Sequence, residues 1–255
     1  MHEHTVVLKF GSSVIPSESA LTDVVGEVRR WCARGSRVVA VVSAVGGATD
    51  MLLGHARSFG AATRSASAAL AAYVATGELQ SAALLGLALA RSGIDAAVRD
   101  PASIGLLTDG PPLDSTPIRL DVSALARAIA GWPVVIVPGF LGRSSTGETT
   151  LLGRGGSDLT ALFLAHHLRA RCRLVKDVNG LYDRDPAEGD ARRFERVNYA
   201  DVLALSEGIV QHKAVRFALE VGLEFEVGCI GLERPTTVGG RSSRLEEPEE
   251  CASVG

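Results

Sequence analysis

Short β-branched segments alternate along the chain with longer amphipathic or alanine-rich segments. The short segments predict strands at residues 5–10, 37–44, 96–100, 134–140, 173–178 and 225–228. Several of them are apolar on both faces, which is typical of strands buried in a parallel sheet. The longer segments predict helices at residues 19–34, 65–75, 77–92, 121–130, 157–169 and 211–221. This alternation predicts an α/β layer fold with a mostly parallel central sheet.

Two segments depart from the alternation. Residues 106–122 are rich in turn-forming residues and predict a hairpin or another excursion from the sheet. Residues 239–255 are polar and contain an acidic cluster, and they predict a mobile tail.

Composition narrows the class of protein. The chain has 255 residues, 46% of them hydrophobic, which is enough for a large core. Its formal net charge of -3 provides no electrostatic footprint for nucleic acid. The four cysteines are far apart and show no CxxC spacing, so we expect no metal site and a reducing compartment. With no signal peptide and no apolar run long enough to span a bilayer, the sequence predicts a cytoplasmic protein without a membrane partner.

Lysine is scarce in this chain. Among 26 basic residues, the lysines are Lys9, Lys176 and Lys213. A lysine carries a compact ammonium on a flexible stem, whereas an arginine carries a planar fork. The presence of these three lysines indicates positions that need an ammonium. The alternative is that the three lysines remain by chance.

Glycines and polar residues follow several predicted strands. The segments are "LKFGSS", "VSAVGGATD", "VPGFLG" and "VKDVNGLYDRDP", and "GRGGSD" opens a predicted helix. Ligands of α/β sheets bind at the carboxyl ends of strands, and free N–H groups at helix N-termini favour anions. The sequence therefore predicts a phosphate cradle. It contains neither GxxxxGK[ST] nor the GxGxxG of a dinucleotide fold.

Several segments resemble the catalytic domain of aspartate kinases, within the amino acid kinase superfamily, and they occur along the chain in the same order as in that family. They are "VVLKFGSSV", "VVAVVSAVGGATDMLL", "TGELQSAALL", "VPGFLGRSSTGETTLLGRGGSDLTA" and "KDVNGLYDRDP". The resemblance implies a three-layer α/β/α sandwich that transfers phosphate from ATP, with Mg²⁺ held mainly through the phosphates, to the side-chain carboxylate of an amino acid. It implies one domain over residues 1–238, with an acceptor-binding lobe to about residue 170 and a nucleotide-binding lobe after it. A homodimer is the expected assembly.

The resemblance also implies roles for individual residues. Lys9 and Asp158 match catalytic positions. The nucleotide positions are Lys9, Gly11, Ser12, Lys176, Asp177, Tyr182 and Lys213, and the acceptor positions are Ser43, Thr49, Glu78, Arg154, Gly156 and Ser157. These residue types suit the chemistry, because phosphoryl transfer needs positive charge and positioning, and a guanidinium grips a carboxylate with two hydrogen bonds. A carboxylate such as that of Glu78 suits the ammonium of an amino acid.

Each of these residues also has a structural explanation. Arg154 and Asp158 are four residues apart and could form an ion pair at a helix start. Lys9 could be a surface lysine at a strand end, and Thr49 a helix cap. Glu78 could favour a helix dipole.

The chain departs from the family pattern at several places. "KFGSSV" is one glycine shorter than the usual first loop, and Ala187 follows "DP" where an arginine is usual, with Arg184 as its candidate replacement. The family's GAKVLHP-like segment corresponds to "SEGIVQHKAV", which puts Lys213 in a shifted position. The chain ends where regulatory domains would begin, so we expect no allosteric control by them.

Alternative functions remain at the level of sequence. One keeps the fold and changes the acceptor to another small acid, a hydroxy acid or a phosphorylated molecule. Another is a nucleotide-binding homologue with impaired catalysis.

Overall fold

A computed structural model describes residues 5–59, 66–205 and 208–247. The strands are β1 (Thr5–Phe10), β2 (Arg37–Val42), β3 (Ala96–Val98), β4 (Leu107–Asp109), β5 (Thr116–Arg119), β6 (Val134–Pro138), β7 (Leu141–Arg143), β8 (Thr149–Leu151), β9 (Arg171–Val175), β10 (Phe194–Val197), β11 (Phe225–Gly228), β12 (Thr236–Val238) and β13 (Arg244–Leu245). The helices are α1 (Leu21–Ala33), α2 (Ala48–Ser58), α3 (Ser67–Arg91), α4 (Val122–Gly131), α5 (Gly156–Leu168), α6 (Tyr199–Ala204) and α7 (His212–Val221).

The central sheet has the strand order β13-β10-β12-β11-β9-β1-β2-β6-β3. From β3 to β11 every neighbouring pair is parallel, and β1 lies between β2 and β9. One face packs against α4, α5 and α7, and the other packs against α1 and α3. Because helices cover both faces, the central strands are apolar at almost every position. The predicted three-layer α/β/α sandwich with a mostly parallel sheet is confirmed.

A smaller sheet, with the order β5-β4-β7-β8, lies beside the main one. The antiparallel pair β4–β5 is the hairpin expected within residues 106–122. The second hairpin, β7–β8, was not predicted because its strands have only three residues each. Apolar side chains from β7 and β8 pack against α2 and α3, and this contact attaches the smaller sheet to the sandwich.

Helix α3 corrects one prediction. Two helices were expected at residues 65–75 and 77–92, whereas one helix runs from Ser67 to Arg91, and residue 65 lies outside the described residues. A Cβ on Gly77 would lie 3.2 Å from side-chain atoms of Ala44 and Leu52, so close packing against α2 and the end of β2 compensates for its low helix propensity. By length and composition α3 could cross a membrane. Its contacts with α1, α2, β6 and β8 are those of a core helix.

The structure also corrects the prediction for the polar carboxyl-terminal segment. Residues 239–255 were expected to form a mobile tail, but Arg244 and Leu245 pair with β10 as an antiparallel edge strand. The backbone N–H of Glu246 donates to the carbonyl of Arg193 at 2.9 Å, and their side chains form an ion pair. A strand at the edge of a sheet needs only one apolar face. The polar sequence of β13 therefore did not indicate a strand. Residues 248–255 lie outside the described residues. The division into two lobes stays a prediction.

Candidate active site

A cleft of about 440 Å³ lies where β1, β2 and β9 end and α5 begins. It is lined by Lys9, Gly11, Ser12, Ser13, Ser43, Gly155, Gly156, Ser157, Asp158, Lys176, Asp177, Val178, Gly208, Ile209 and Gln211. Nine of the residues that the sequence assigned to a site are among them. The parallel sheet places these distant segments at one edge, because the carboxyl ends of its strands point the same way.

Two lysines and one aspartate form the floor of the cleft. Asp158, in the first turn of α5, lies 2.7 Å from the Lys9 ammonium through Oδ1 and 2.8 Å from the Lys176 ammonium through Oδ2. Lys9 is two residues beyond the buried Val7, and Lys176 is two residues beyond the buried Leu174. Since side chains in a strand alternate between faces, both ammoniums point to the face that α5 covers. We call this group the lysine–aspartate cluster.

Burial shapes the charges of the cluster. Lys9, Asp158 and Lys176 are 6%, 2% and 8% exposed. Burial lowers the pKa of Lys9, and repulsion from Lys176 lowers it further, against the attraction of Asp158. Burial alone would raise the pKa of Asp158, but the two ammoniums outweigh it and lower that pKa to about 2. An ionised aspartate with two lysines around it leaves a positive floor, which favours a polyanionic ligand.

The loop after β1 makes room for the Lys9 ammonium. A Cβ on Gly11 would lie 2.6 Å from Lys9 Nζ, so a larger residue would displace that group. The backbone N–H groups of Val14 and Ile15 both donate to the Gly11 carbonyl at 3.0 Å and close the turn. The loop therefore lines the cleft although it is one glycine shorter than expected.

The N-terminus of α5 faces the same cleft. The helix begins at Gly156 after Gly155, which has a positive φ of 75°, and Ser157 and Asp158 lie in its first turn. The first N–H groups of an α-helix have no partner within the helix and carry a partial positive charge. They add to the attraction of the cleft for anions.

Glu78 lies near the cleft but does not line it. It is in the middle of α3 and is 2% exposed, so it is no first-turn residue that favours a helix dipole. Burial raises its pKa to about 7, against hydrogen bonds from its own backbone N–H and that of Ala44, the residue after the cleft residue Ser43. Within the described structure its Oε2 has no hydrogen-bond partner. A buried carboxylate with an unsatisfied oxygen suits a cationic ligand.

Arg154 and Thr49 also lie outside the lining. Arg154 is exposed, and its Nε donates to Gln211 Oε1 at 3.0 Å, so it does not form the helix-start ion pair with Asp158. Thr49 is half-buried in the first turn of α2, whose N-cap is Gly47, so it is no cap. The acceptor roles of both stay predictions.

Tyr182 lines a second cavity of about 500 Å³ that shares Val178, Gly208 and Ile209 with the cleft. Its other walls are mainly apolar, with Leu181, Pro186, Val202, Ala204, Leu205 and Val210, and with Arg184 and Asp185 beside Tyr182. An apolar cavity that continues into an anion-binding cleft suits a nucleobase joined to phosphates.

Lys213 lies in neither cavity. Its ammonium donates to Asp114 Oδ1 and to the Leu152 carbonyl, both at 2.7 Å, and to the Ser115 carbonyl at 3.2 Å. This placement does not support the expected contact with a nucleotide. Two of the chain's lysines face the cleft, and this one contacts the loop between β8 and α5 and the β4–β5 hairpin.

The family model of the amino acid kinase family matches residues 4–222. The chain belongs to the amino acid kinase family. The resemblance stated from the sequence is confirmed at that level. The aspartokinase of Pseudomonas aeruginosa is 31% identical over 251 residues, which are 95% of this chain and 60% of that protein. The chain thus spans about 60% of the length of this relative.

Solved structures of the family agree with the fold. The aspartate kinase from Synechocystis has 27% identity and a TM-score of 0.79, over 93% of this chain and 40% of that chain. E. coli aspartokinase III in complex with aspartate and ADP has 23% identity and a TM-score of 0.75, over 94% and 65%. The second likeness concerns the fold alone.

Within this amino acid kinase fold, sequence reasoning missed several lining residues. Ser13, Gly155 and Val178 lie inside the segments "LKFGSS", "GRGGSD" and "VKDVNGLYDRDP", so their neighbours were a sufficient signal. Gly208, Ile209 and Gln211 lie in the segment "SEGIVQHKAV", in which the resemblance pointed only to Lys213. They line the cleft because residues 208–211, directly before α7, form one of its walls, which no local pattern reveals.

Proposed function

We propose that this chain transfers the γ-phosphate of ATP to the side-chain carboxylate of an amino acid, with L-aspartate as the acceptor and 4-phospho-L-aspartate as the product. The observation that carries the proposal is the buried lysine–aspartate cluster at the N-terminus of α5, beside a cavity suited to a nucleobase. The relatives named aspartokinases support the choice of acceptor.

The nucleotide would bind across the two cavities. Its base would enter the cavity of Tyr182, and its phosphates would meet the lysine–aspartate cluster, Gly11 and Ser12. Asp177 would be a further residue of the nucleotide site. The described residues contain no group of three or more His, Cys, Asp or Glu that could hold a metal ion. Mg²⁺ held mainly through the phosphates fits such a site, and it would neutralise part of their charge.

Asp158 would orient the two lysines rather than accept a proton. Its pKa of about 2 keeps it ionised and makes it a weak base at neutral pH. An acceptor carboxylate, with an ordinary pKa near ~4, is already a nucleophile at neutral pH and needs no base. The cleft therefore supplies what this reaction requires, which is positive charge.

The transfer would proceed in line. A carboxylate oxygen of the acceptor attacks the γ-phosphorus, the bond from that phosphorus to the bridging oxygen breaks, and ADP leaves with the electron pair. Lys9 and Lys176 would stabilise the charge that develops on the phosphoryl and leaving oxygens.

The amino acid would be held by its two backbone ends. The unsatisfied Oε2 of Glu78 would accept from the ammonium, and Arg154 would bind the α-carboxylate. Ser43, Thr49, Gly156 and Ser157 would complete the acceptor site. This arrangement leaves the side-chain carboxylate to face the lysine–aspartate cluster.

The test is to trap the product. Incubation with ATP, Mg²⁺, L-aspartate and hydroxylamine should form an aspartyl hydroxamate in proportion to ADP, because hydroxylamine attacks acyl phosphates. L-Glutamate, homoserine and small phosphate esters serve as matched acceptors. ADP release with an alcohol or a phosphate acceptor, and no hydroxamate from any carboxylic acid, would overturn the proposal. No ADP release with any acceptor would indicate a homologue without activity.

The assembly and compartment form part of the same proposal, which is a cytoplasmic homodimer. Leu79 and Leu87 of α3 are 41% and 68% exposed, and burial of such residues favours self-association. Light scattering on the purified protein would give the oligomeric state. Absence of feedback control by amino acids stays a prediction.

A further inference from the structure

The start of α7 holds the loop between β8 and α5 at two points. The first point is Leu152, whose carbonyl accepts from the Lys213 ammonium at 2.7 Å. The second is Arg154, whose Nε donates to Gln211, the N-cap residue of α7. A Cβ on Gly155 would lie 2.3 Å from Gln211 Cβ, so the loop and the helix start are in close contact.

The Lys213 ammonium also joins this loop to the β4–β5 hairpin. It donates to Asp114 Oδ1 at 2.7 Å and to the Ser115 carbonyl at 3.2 Å. An ammonium has three donors, and the contacts with Asp114, Ser115 and Leu152 use all of them. None is left for a phosphate.

The loop that Lys213 holds leads directly into the acceptor side of the cleft. It carries Arg154, and it ends at Gly155 and Gly156, where α5 begins. A small displacement of such a loop would move the guanidinium and the helix N-terminus together, and misplacement by about 1 Å can cost a large factor in rate. The nucleobase cavity is formed by other segments, at residues 178–186, 202–205 and 208–210.

We infer that Lys213 is a positioning residue for the acceptor amino acid and takes no direct part in nucleotide binding. It clamps residues 152–155 between α7 and the β4–β5 hairpin, and so fixes where Arg154 and the start of α5 meet the acceptor. This inference rests on the proposed function for the identity of the acceptor and for its contact with Arg154.

The experiment compares Lys213→Met with Arg216→Met. Arg216 is an exposed residue on the same helix, so the control removes an equal charge without touching the loop. Lys213→Met should raise the KM for L-aspartate roughly tenfold, the scale of a lost hydrogen bond to a charged group, and leave the KM for ATP within about twofold. Arg216→Met should change neither, and Asp114→Asn should have a small effect because an amide oxygen still accepts.

Hydrogen exchange provides a second readout that needs no acceptor. In Lys213→Met, amides of residues 152–157 should exchange faster, while those of β1 should keep their protection. A KM for ATP that rises as much as that for aspartate would overturn the inference, and so would unchanged exchange in the loop. If the unaltered protein phosphorylates no carboxylic acid, the proposed function fails, and the exchange result still decides whether Lys213 holds residues 152–155 in place.

Discussion

Asp158 and Glu78 are two carboxylates of equal burial, each 2% exposed, with opposite electrostatic surroundings. Asp158 has an ammonium on each oxygen and a pKa lowered to about 2, whereas Glu78 has an oxygen without a partner and a pKa raised to about 7. Burial raises the pKa of both groups, so the neighbouring charges account for the difference. Asp158 has its cations within the protein, and Glu78 would obtain one from the acceptor.

The largest expected effect comes from removing an ammonium that Asp158 orients. Lys9→Met and Lys176→Met should each lower kcat by about 10²–10³, the scale of a lost donor to transition-state charge. The remaining lysine keeps Asp158 paired, so we expect both variants to fold, which thermal unfolding would check. Near-normal kcat in a folded Lys176→Met protein would assign the cluster's catalytic charge to Lys9 alone.

Glu78→Gln should separate acceptor binding from stability. The KM for L-aspartate should rise by at least tenfold, because a neutral amide binds an ammonium more weakly. In the unaltered protein, the same KM should rise as the pH falls below about 7, where Glu78 becomes protonated. Kinetics from pH 6 to 8.5 test both statements, and a KM for aspartate independent of pH and of this substitution would remove Glu78 from the acceptor site.

The same substitution should stabilise the protein at alkaline pH. Since the pKa of Glu78 is raised from 4.5 to about 7 on folding, its stabilising contribution is present at low pH and lost as the pH rises through about 7. A shift of this size corresponds to about 3 kcal/mol in the free energy of unfolding. The Glu78→Gln protein should therefore have a higher free energy of unfolding than the unaltered protein at pH 8, and this difference should disappear near pH 4. Urea unfolding at the two pH values measures it.

The smallest effect is expected at an ion pair whose geometry resembles that of Asp158. Asp114 and Lys213 are also 2.7 Å apart, but their side chains are 70% and 31% exposed. Solvent screens such a pair, so Asp114→Asn should change the free energy of unfolding by at most about 1 kcal/mol. A larger loss would show that the pair supports the fold as well as the loop.

Local pattern was sufficient to predict the fold class and most of the cleft. Alternating apolar segments predicted a parallel sheet, and the direction of its strands placed Lys9, Lys176 and the start of α5 at one edge. The continuous helix through Gly77 and the edge strand at Arg244 were not predictable in this way, because each depends on a packing partner that is distant in the sequence.

The sequence by itself determined which residue types stand at the strand ends, since a period of two residues decides the face of each side chain. Tertiary structure decided what each charge meets. Lys213 contacts Asp114, 99 residues away, and Glu78 is buried because α3 passes the end of β2. The reach of a long side chain and the burial of a carboxylate depend on how helices pack across the sheet. These packing contacts distinguish a lysine that faces the cleft from one that contacts a loop.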